Sequence, residues 1–248
     1  DHPLTADARR TLAQVFVETD RFTEAEALIH AAVPVIDATG DRVESARVRG
    51  ELARVLMGTG RQDEAFALWS ASREELTSAI GPDAEYTLVM THNLCMAMRH
   101  AGLLPEAEDL AADLVERRRR VLGPDNPQTL AAMDLLGGLI MAQGREREAV
   151  DHLRAVLDGR SRVLGEHHIS TLLTMGNLGA TLIRLGELDE AETLTRRALE
   201  AHTVKFGREH TKTLILLSNL AYLLEERGRR DEAVDLYREI IAIRKRAT

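Results

Sequence analysis

The groups in this 248-residue chain that could do chemistry are nine histidines, one cysteine, a run of arginines and 40 carboxylates; their spacing decides what they can do. His167 and His168 are adjacent, with no cysteine or carboxylate pattern around them, so helix capping or loop exposure is expected instead of a metal site. His92 and His100 lie more than two helical turns apart, too far to share an ion as an i, i+4 pair would, and are expected to be ordinary surface histidines. The single cysteine, Cys95, has no disulfide partner within the chain and stands where related segments carry Ala53, Gly137, Gly179 and Ala221. Close packing explains it without reactivity. Arg117 to Arg120 read as a solvated helix end. Phosphate-binding loops, dinucleotide fingerprints, HExxH and nucleophile elbows do not occur, and the carboxylates crowd acidic helices with no apolar pocket to raise a pKa. The reading is a non-enzyme with no metal and no cofactor.

Composition narrows the partner. Lysine and arginine total 32 against 40 acids, a formal charge of -8, the wrong sign for a general nucleic-acid binder. Apolar residues make up 44% but aromatics only 3%, so the core must be aliphatic. The start, Asp1-His2-Pro3-Leu4-Thr5, has neither the basic nor the apolar region of a targeting signal. The longest stretch free of Asp, Glu, Lys and Arg, His167 to Ile183, is too short and polar to span a bilayer. A soluble, cytoplasmic protein that avoids membranes is expected.

The elements that position these groups come from a repeat. Thr87-Leu88, Thr129-Leu130, Thr171-Leu172 and Thr213-Leu214 recur every 42 residues, as do Gly102, Gly144, Gly186 and Gly228, and the pairs Glu106-Ala107, Glu148-Ala149, Glu190-Ala191 and Glu232-Ala233. Gly81, Gly123, Gly165 and Gly207 keep the same step. Leu52, Gly60 and Glu64-Ala65 extend it backwards, and a step of 40 reaches Leu12 and Glu24-Ala25, which places a two-residue loss in the first linker. Each repeat predicts two helices, giving twelve. The first opens at segments such as Asp125-Asn126-Pro127 and stops at a glycine suited to a left-handed cap. The second starts acidic and ends basic, matching the helix dipole. Pro34 should kink or shorten the first repeat's second helix. No sustained period-two pattern calls for strands. One helix pair cannot bury its apolar face, so the pairs should stack into a single all-α solenoid domain spanning 1–248, with repeats at about 1–40, 41–82, 83–124, 125–166, 167–208 and 209–248. Leu94, Leu136, Leu178 and Leu220 form its recurring core, and Ala107, Ala149, Ala191 and Ala233 its close helix contacts.

The pattern Leu178-Gly179, Gly186, Glu190-Ala191 and Ala198-Leu199 resembles the tetratricopeptide repeat. The 42-residue period and linkers such as Leu122-Gly123-Pro124-Asp125-Asn126-Pro127 are similar to the kinesin-light-chain subtype and to arrays in bacterial signalling proteins. The resemblance implies a right-handed superhelix whose first helices line a concave groove. The charges agree: residues 168–183 contain no Asp, Glu, Lys or Arg, and residues 126–141 only Asp134, while second helices are densely charged.

Family geometry then implies the groove positions. The third repeat supplies Val89, His92, Asn93, Met96 and Arg99. The fourth and fifth supply Ala131, Asp134, Leu135, Gly138, Met141, Leu173, Gly176, Asn177, Ala180 and Ile183, and the sixth Ile215, Ser218, Asn219 and Tyr222. Asn93, Asn177 and Asn219 share one register, where each amide offers a donor and an acceptor to a peptide main chain. Leu135, Thr11 and Glu51 occupy that register in the other repeats. The first two repeats are charged instead, with Asp7, Arg10, Gln14, Glu18, Arg47, Glu51 and Arg54. The function implied is protein–protein interaction, with a peptide or partner segment held in the groove; the alternative is a sensor or autoinhibitory arm of a larger kinase or NTPase. The partners implied are a peptide, another domain of a parent chain, or a second copy on the uncapped helix containing Ile240, Ile241 and Ile243.

Overall fold

The computed structural model describes residues 3–246, with side chains from residue 5; the linker reading of Asp1-His2 lies outside the described residues. Twelve helices and no strand occur among them. The chain divides into two compact units, residues 1–123 and 124–248.

The N-terminal unit contains α1 (Pro3–Glu18), α2 (Phe22–Asp37), α3 (Arg42–Gly58), α4 (Gln62–Ile80), α5 (Glu85–His100) and α6 (Leu104–Leu122), each packed against the next. Its core gathers Ile29, Ile36, Leu52, Val55, Leu56, Trp69, Leu76, Met90 and Leu94. Trp69 is buried and donates its indole N–H to the Gly50 carbonyl at 3.0 Å, so packing explains it. The C-terminal unit contains α7 (Pro127–Ala142), α8 (Glu146–Leu164), α9 (Ile169–Leu185), α10 (Leu188–Phe206), α11 (Thr211–Glu226) and α12 (Arg230–Arg246), again packed in sequence. Its core includes Leu153, Leu172, Met175, Leu178, Leu182, Leu194, Leu217, Leu220 and Leu224.

Each repeated residue has a physical task. The turn glycines adopt φ near +75 to +80°, as at Gly102 (78°) and Gly186 (76°), and their N–H groups satisfy the last carbonyls of the preceding helix. The first repeat carries Asp20 there, at φ 57°, the one non-glycine with positive φ among the described residues. The recurring threonine ties the linker to the next helix: Thr87 and Thr171 hydroxyls donate to the Gly81 and Gly165 carbonyls, each at 2.8 Å. In four repeats the glutamate of the Glu-Ala pair accepts from an arginine three residues earlier, as in Arg145–Glu148 at 2.7 Å and Arg229–Glu232 at 2.6 Å; Leu103 and Glu187 stand there in the third and fifth. The alanine beside it is fully buried at Ala107, Ala149 and Ala191. Gly179 lies opposite that alanine's helix, where a Cβ would come within 2.7 Å of the Thr195 hydroxyl.

Three expectations change. The linker 38–41 has four residues like its counterparts, and the shortening lies in α2, which has 16 residues against 19 in α4, α6, α8 and α10. Pro34 sits in the last turn of α2, and the helix ends three residues later. Arg118 is buried, unlike its neighbours in the arginine run, because its register is the core position held by Leu76 in the previous repeat. His92 is correspondingly half-buried, its Nδ1 3.5 Å from an Arg118 nitrogen.

Candidate interaction surface

In the N-terminal unit, α1, α3 and α5 lie side by side and bring the expected charged residues together. Arg10, 13% exposed, pairs with Glu51 at 3.0 Å, with Asp7 at 3.4 Å and with Glu44. Arg47 pairs with Glu44 at 2.6 Å and places its guanidinium 3.9 Å from the centre of the Tyr86 ring. Burial works against the Arg10 charge, but Glu51 and Glu44 outweigh it and raise its pKa. A cleft of about 210 Å³ follows, lined by Gln14, Arg47, Gly50, Glu51, Arg54, Tyr86, Val89, Met90 and Asn93. Gly50 makes room for it: a Cβ there would lie 2.4 Å from the Met90 sulfur. Glu44 and Tyr86 complete this surface and escaped the sequence reading; the signal available was their position near the starts of α3 and α5, close to Arg47. Glu18 is exposed, and Met96 and Arg99 are half-buried on α5.

In the C-terminal unit the corresponding face is built from α7, α9 and α11. The Thr181 hydroxyl reaches the Met141 sulfur at 3.2 Å, and Gly176 lies so near Leu216 that a Cβ would approach its methyl to 3.1 Å. Leu173, Asn177 and Ala180 follow i, i+4, i+7 spacing on α9, as do Ile215, Asn219 and Tyr222 on α11, so each set shares a face. Asn177 is exposed, as are Ile215 (52%) and Tyr222 (48%); Leu173, Gly138, Met141, Ala180 and Asn219 are half-buried. Leu135 (5%) and Ile183 (7%) are core residues, which corrects their assignment as contact residues: aliphatic side chains at these positions gain more from burial than from presentation to solvent. Asp134 pairs at 3.2 Å with Arg160 of α8, whose side chain is 8% exposed and also donates to the Thr174 hydroxyl at 2.6 Å and the Ser170 carbonyl at 3.1 Å.

The asparagines differ from these engaged groups. Among the described residues, the side-chain amides of Asn93, Asn177 and Asn219 make no hydrogen bond within the protein. Their half-buried or exposed positions leave both ends of the amide for a bound group.

The remaining reactive residues have structural roles. Burial pushes the Cys95 thiol up to about 12, so it carries no thiolate. Burial, and then Arg118, lowers His92 to about 4. His168 accepts from the Ser170 N–H at 3.2 Å, capping α9, and His210 does the same for Lys212. No helix among the described residues is long and apolar enough to cross a membrane.

Family models described as tetratricopeptide repeat match residues 46–70, 87–128, 134–203 and 170–246. The chain belongs to the tetratricopeptide repeat family. Its structure is similar to the nearly identical TPR-like repeats of a putative kinesin light chain from Podosopora anserina, with 25% identity and a TM-score of 0.72 over 84% of this chain and 98% of that one. It is also similar to a signal transduction ATPase with a tetratricopeptide repeat sensor from Pyrococcus horikoshii (14% identity, TM-score 0.77, 97% of this chain, 36% of that one). NprR in complex with its cognate peptide NprX gives 11% identity and a TM-score of 0.70, over 99% of this chain and 69% of that one. No match is found among curated proteins. Tetratricopeptide repeats are protein–protein interaction modules, and the match is to no catalytic family.

Proposed function

We propose that the protein is a non-catalytic module that holds a peptide, or an extended segment of a partner protein, along the faces of its first helices. In the C-terminal unit, Asn177 and Asn219 grip the main chain of a bound segment, and Met141, Leu173, Ile215 and Tyr222 meet its apolar side chains. In the N-terminal unit, Asn93 does the same for main chain, and the Arg47–Arg54 region receives polar groups. The observation that carries this reading is the set of three unengaged amides at one repeat register. NprR, whose fold is similar, was solved with a peptide bound, which adds support. The net charge of -8 favours protein over nucleic acid as the partner.

The test is a peptide selected from a displayed random library against the intact chain. Asn177→Ala with Asn219→Ala should weaken its binding by about tenfold per lost amide contact. Ala180→Leu should weaken binding by filling the face, with helical content unchanged by circular dichroism. Unaltered affinity in both variants would overturn the reading. A second reading, a sensor arm of a signalling enzyme, draws on the likeness to the sensor-bearing ATPase. It predicts that the same selected peptide changes the activity of a kinase or NTPase module joined to this chain in its parent protein.

A further inference from the structure

Three repeats close the same corner with an ion pair joining the linker before the first helix to the last turn of the second. The pairs are Asp83–Arg120 at 2.6 Å, Asp125–Arg162 at 2.5 Å and Glu209–Arg246 at 3.7 Å. The fifth repeat has His167 and Val204 at these positions, and Val204 is 84% exposed, more than any other large apolar side chain among the described residues. The cation has moved one place along the helix: Arg120-Val121 and Arg162-Val163 become Val204-Lys205. One residue is about 100° of helical rotation, so the charge leaves the corner and an apolar side chain takes its place.

A pocket of about 320 Å³ opens at this corner, with Leu172, Met175, Ala201 and Val204 on its apolar side and Glu200 and Lys205 among its lining charges. That volume lies at the small end of ligand sites, about 300–1,000 Å³. Arg197 and Glu166, also at the pocket, neutralise each other at 2.9 Å. Glu200 and Lys205 are not neutralised: among the described residues neither forms an ion pair, and Lys205 only leans over the Phe206 ring at 5.6 Å. In the third and fourth repeats the carboxylate at the Glu200 register has an arginine, Arg119 for Glu116 and Arg162 for Asp158, whereas Glu74 of the second repeat forms no ion pair among the described residues. The fifth repeat therefore presents an apolar recess flanked by an exposed carboxylate and an exposed ammonium, neither with a counter-charge from the described residues. None of the first-helix positions assigned to peptide binding lines it.

We propose that this corner of the fifth repeat binds a free α-amino acid with a large apolar side chain, seated against Ala201 and Val204 above the buried Leu172 and Met175, with its ammonium on Glu200 and its carboxylate on Lys205. This site is separate from the peptide surface and stands or falls independently of it.

The experiment is methyl NMR of the full chain titrated with L-leucine, L-methionine and L-phenylalanine. At least one should shift the Val204 and Met175 methyls with a Kd on the order of 1 mM or tighter. Leucinamide and N-acetyl-leucine, each lacking one charge, should bind about tenfold more weakly, as should leucine to Glu200→Gln and to Lys205→Gln. His167→Asp with Val204→Arg rebuilds the sister ion pair and should abolish the Met175 shift. Should that double variant not fold, Ala201→Leu fills the recess and is expected to do the same. No shift with any of the three amino acids at about ten times that Kd overturns the proposal. So does unchanged binding in the filled variants, or equal binding of leucine and its singly charged derivatives.

Discussion

The same register is solved differently in the two units. In the N-terminal unit, His92 stands beside buried Arg118; in the C-terminal unit, Asp134 stands beside buried Arg160. Both arginines occupy a position that Leu76 fills with hydrocarbon in an earlier repeat. Around them, the N-terminal first helices carry the Arg10–Glu44–Glu51–Arg47 network, whereas those of the C-terminal unit present Ile215, Tyr222 and two asparagines. A repeat scaffold is thus held by its glycines, alanines and leucines, which leaves the remaining positions free to acquire different chemistry. Where a charge is buried, its neighbour sets the penalty. A carboxylate compensates Arg160, while burial, and then Arg118, keeps His92 neutral.

The largest expected effect comes from breaking the compensated pair. Asp134→Ala strips a carboxylate from Arg160 and should cost about 3–5 kcal/mol. Arg10→Ala leaves Glu51 and Glu44, 16% and 24% exposed, with partial access to water and should cost less, about 1–3 kcal/mol. Urea midpoints of the two variants measure the difference, and equal losses would erase the contrast between the units.

The next effect depends on pH. The neutral form of His92 is favoured in the folded chain, with a pKa of about 4 against an unfolded value of about 6.5. The unfolded chain therefore takes up the proton first as pH falls. Stability is complete above about pH 6.5 and declines towards pH 4, by at most about 3 kcal/mol. Comparing wild type with His92→Gln by denaturation at several pH values isolates this contribution. An identical slope in both would show that His92 is not responsible.

The smallest effect sharpens the scaffold side of the comparison. Asp20→Gly puts the residue of the sister turns at φ 57° and should stabilise the N-terminal unit by about 1 kcal/mol. Gly102→Ala should destabilise it by a similar amount, and thermal midpoints would record both.

The sequence by itself determined the helix pairs and their boundaries. Glycine tolerates the left-handed turn, Asn126 and His168 cap helices, and the acid-to-base polarity of second helices follows the dipole, all of which act within a few residues. The asparagine register was legible too, because a 42-residue period places it without coordinates. Tertiary structure alone decided which polar residues go inside. Arg118 reads as one of four surface arginines, and only its place over the core makes it buried. Leu135 and Ile183 read as presented apolar groups, yet packing covers them. The empty ion-pair corner at Val204 likewise emerges only when the linker and the second helix are brought together. Local propensity is written in neighbouring residues, whereas desolvation and ion pairing depend on groups tens of residues apart, and only the folded chain sets those distances.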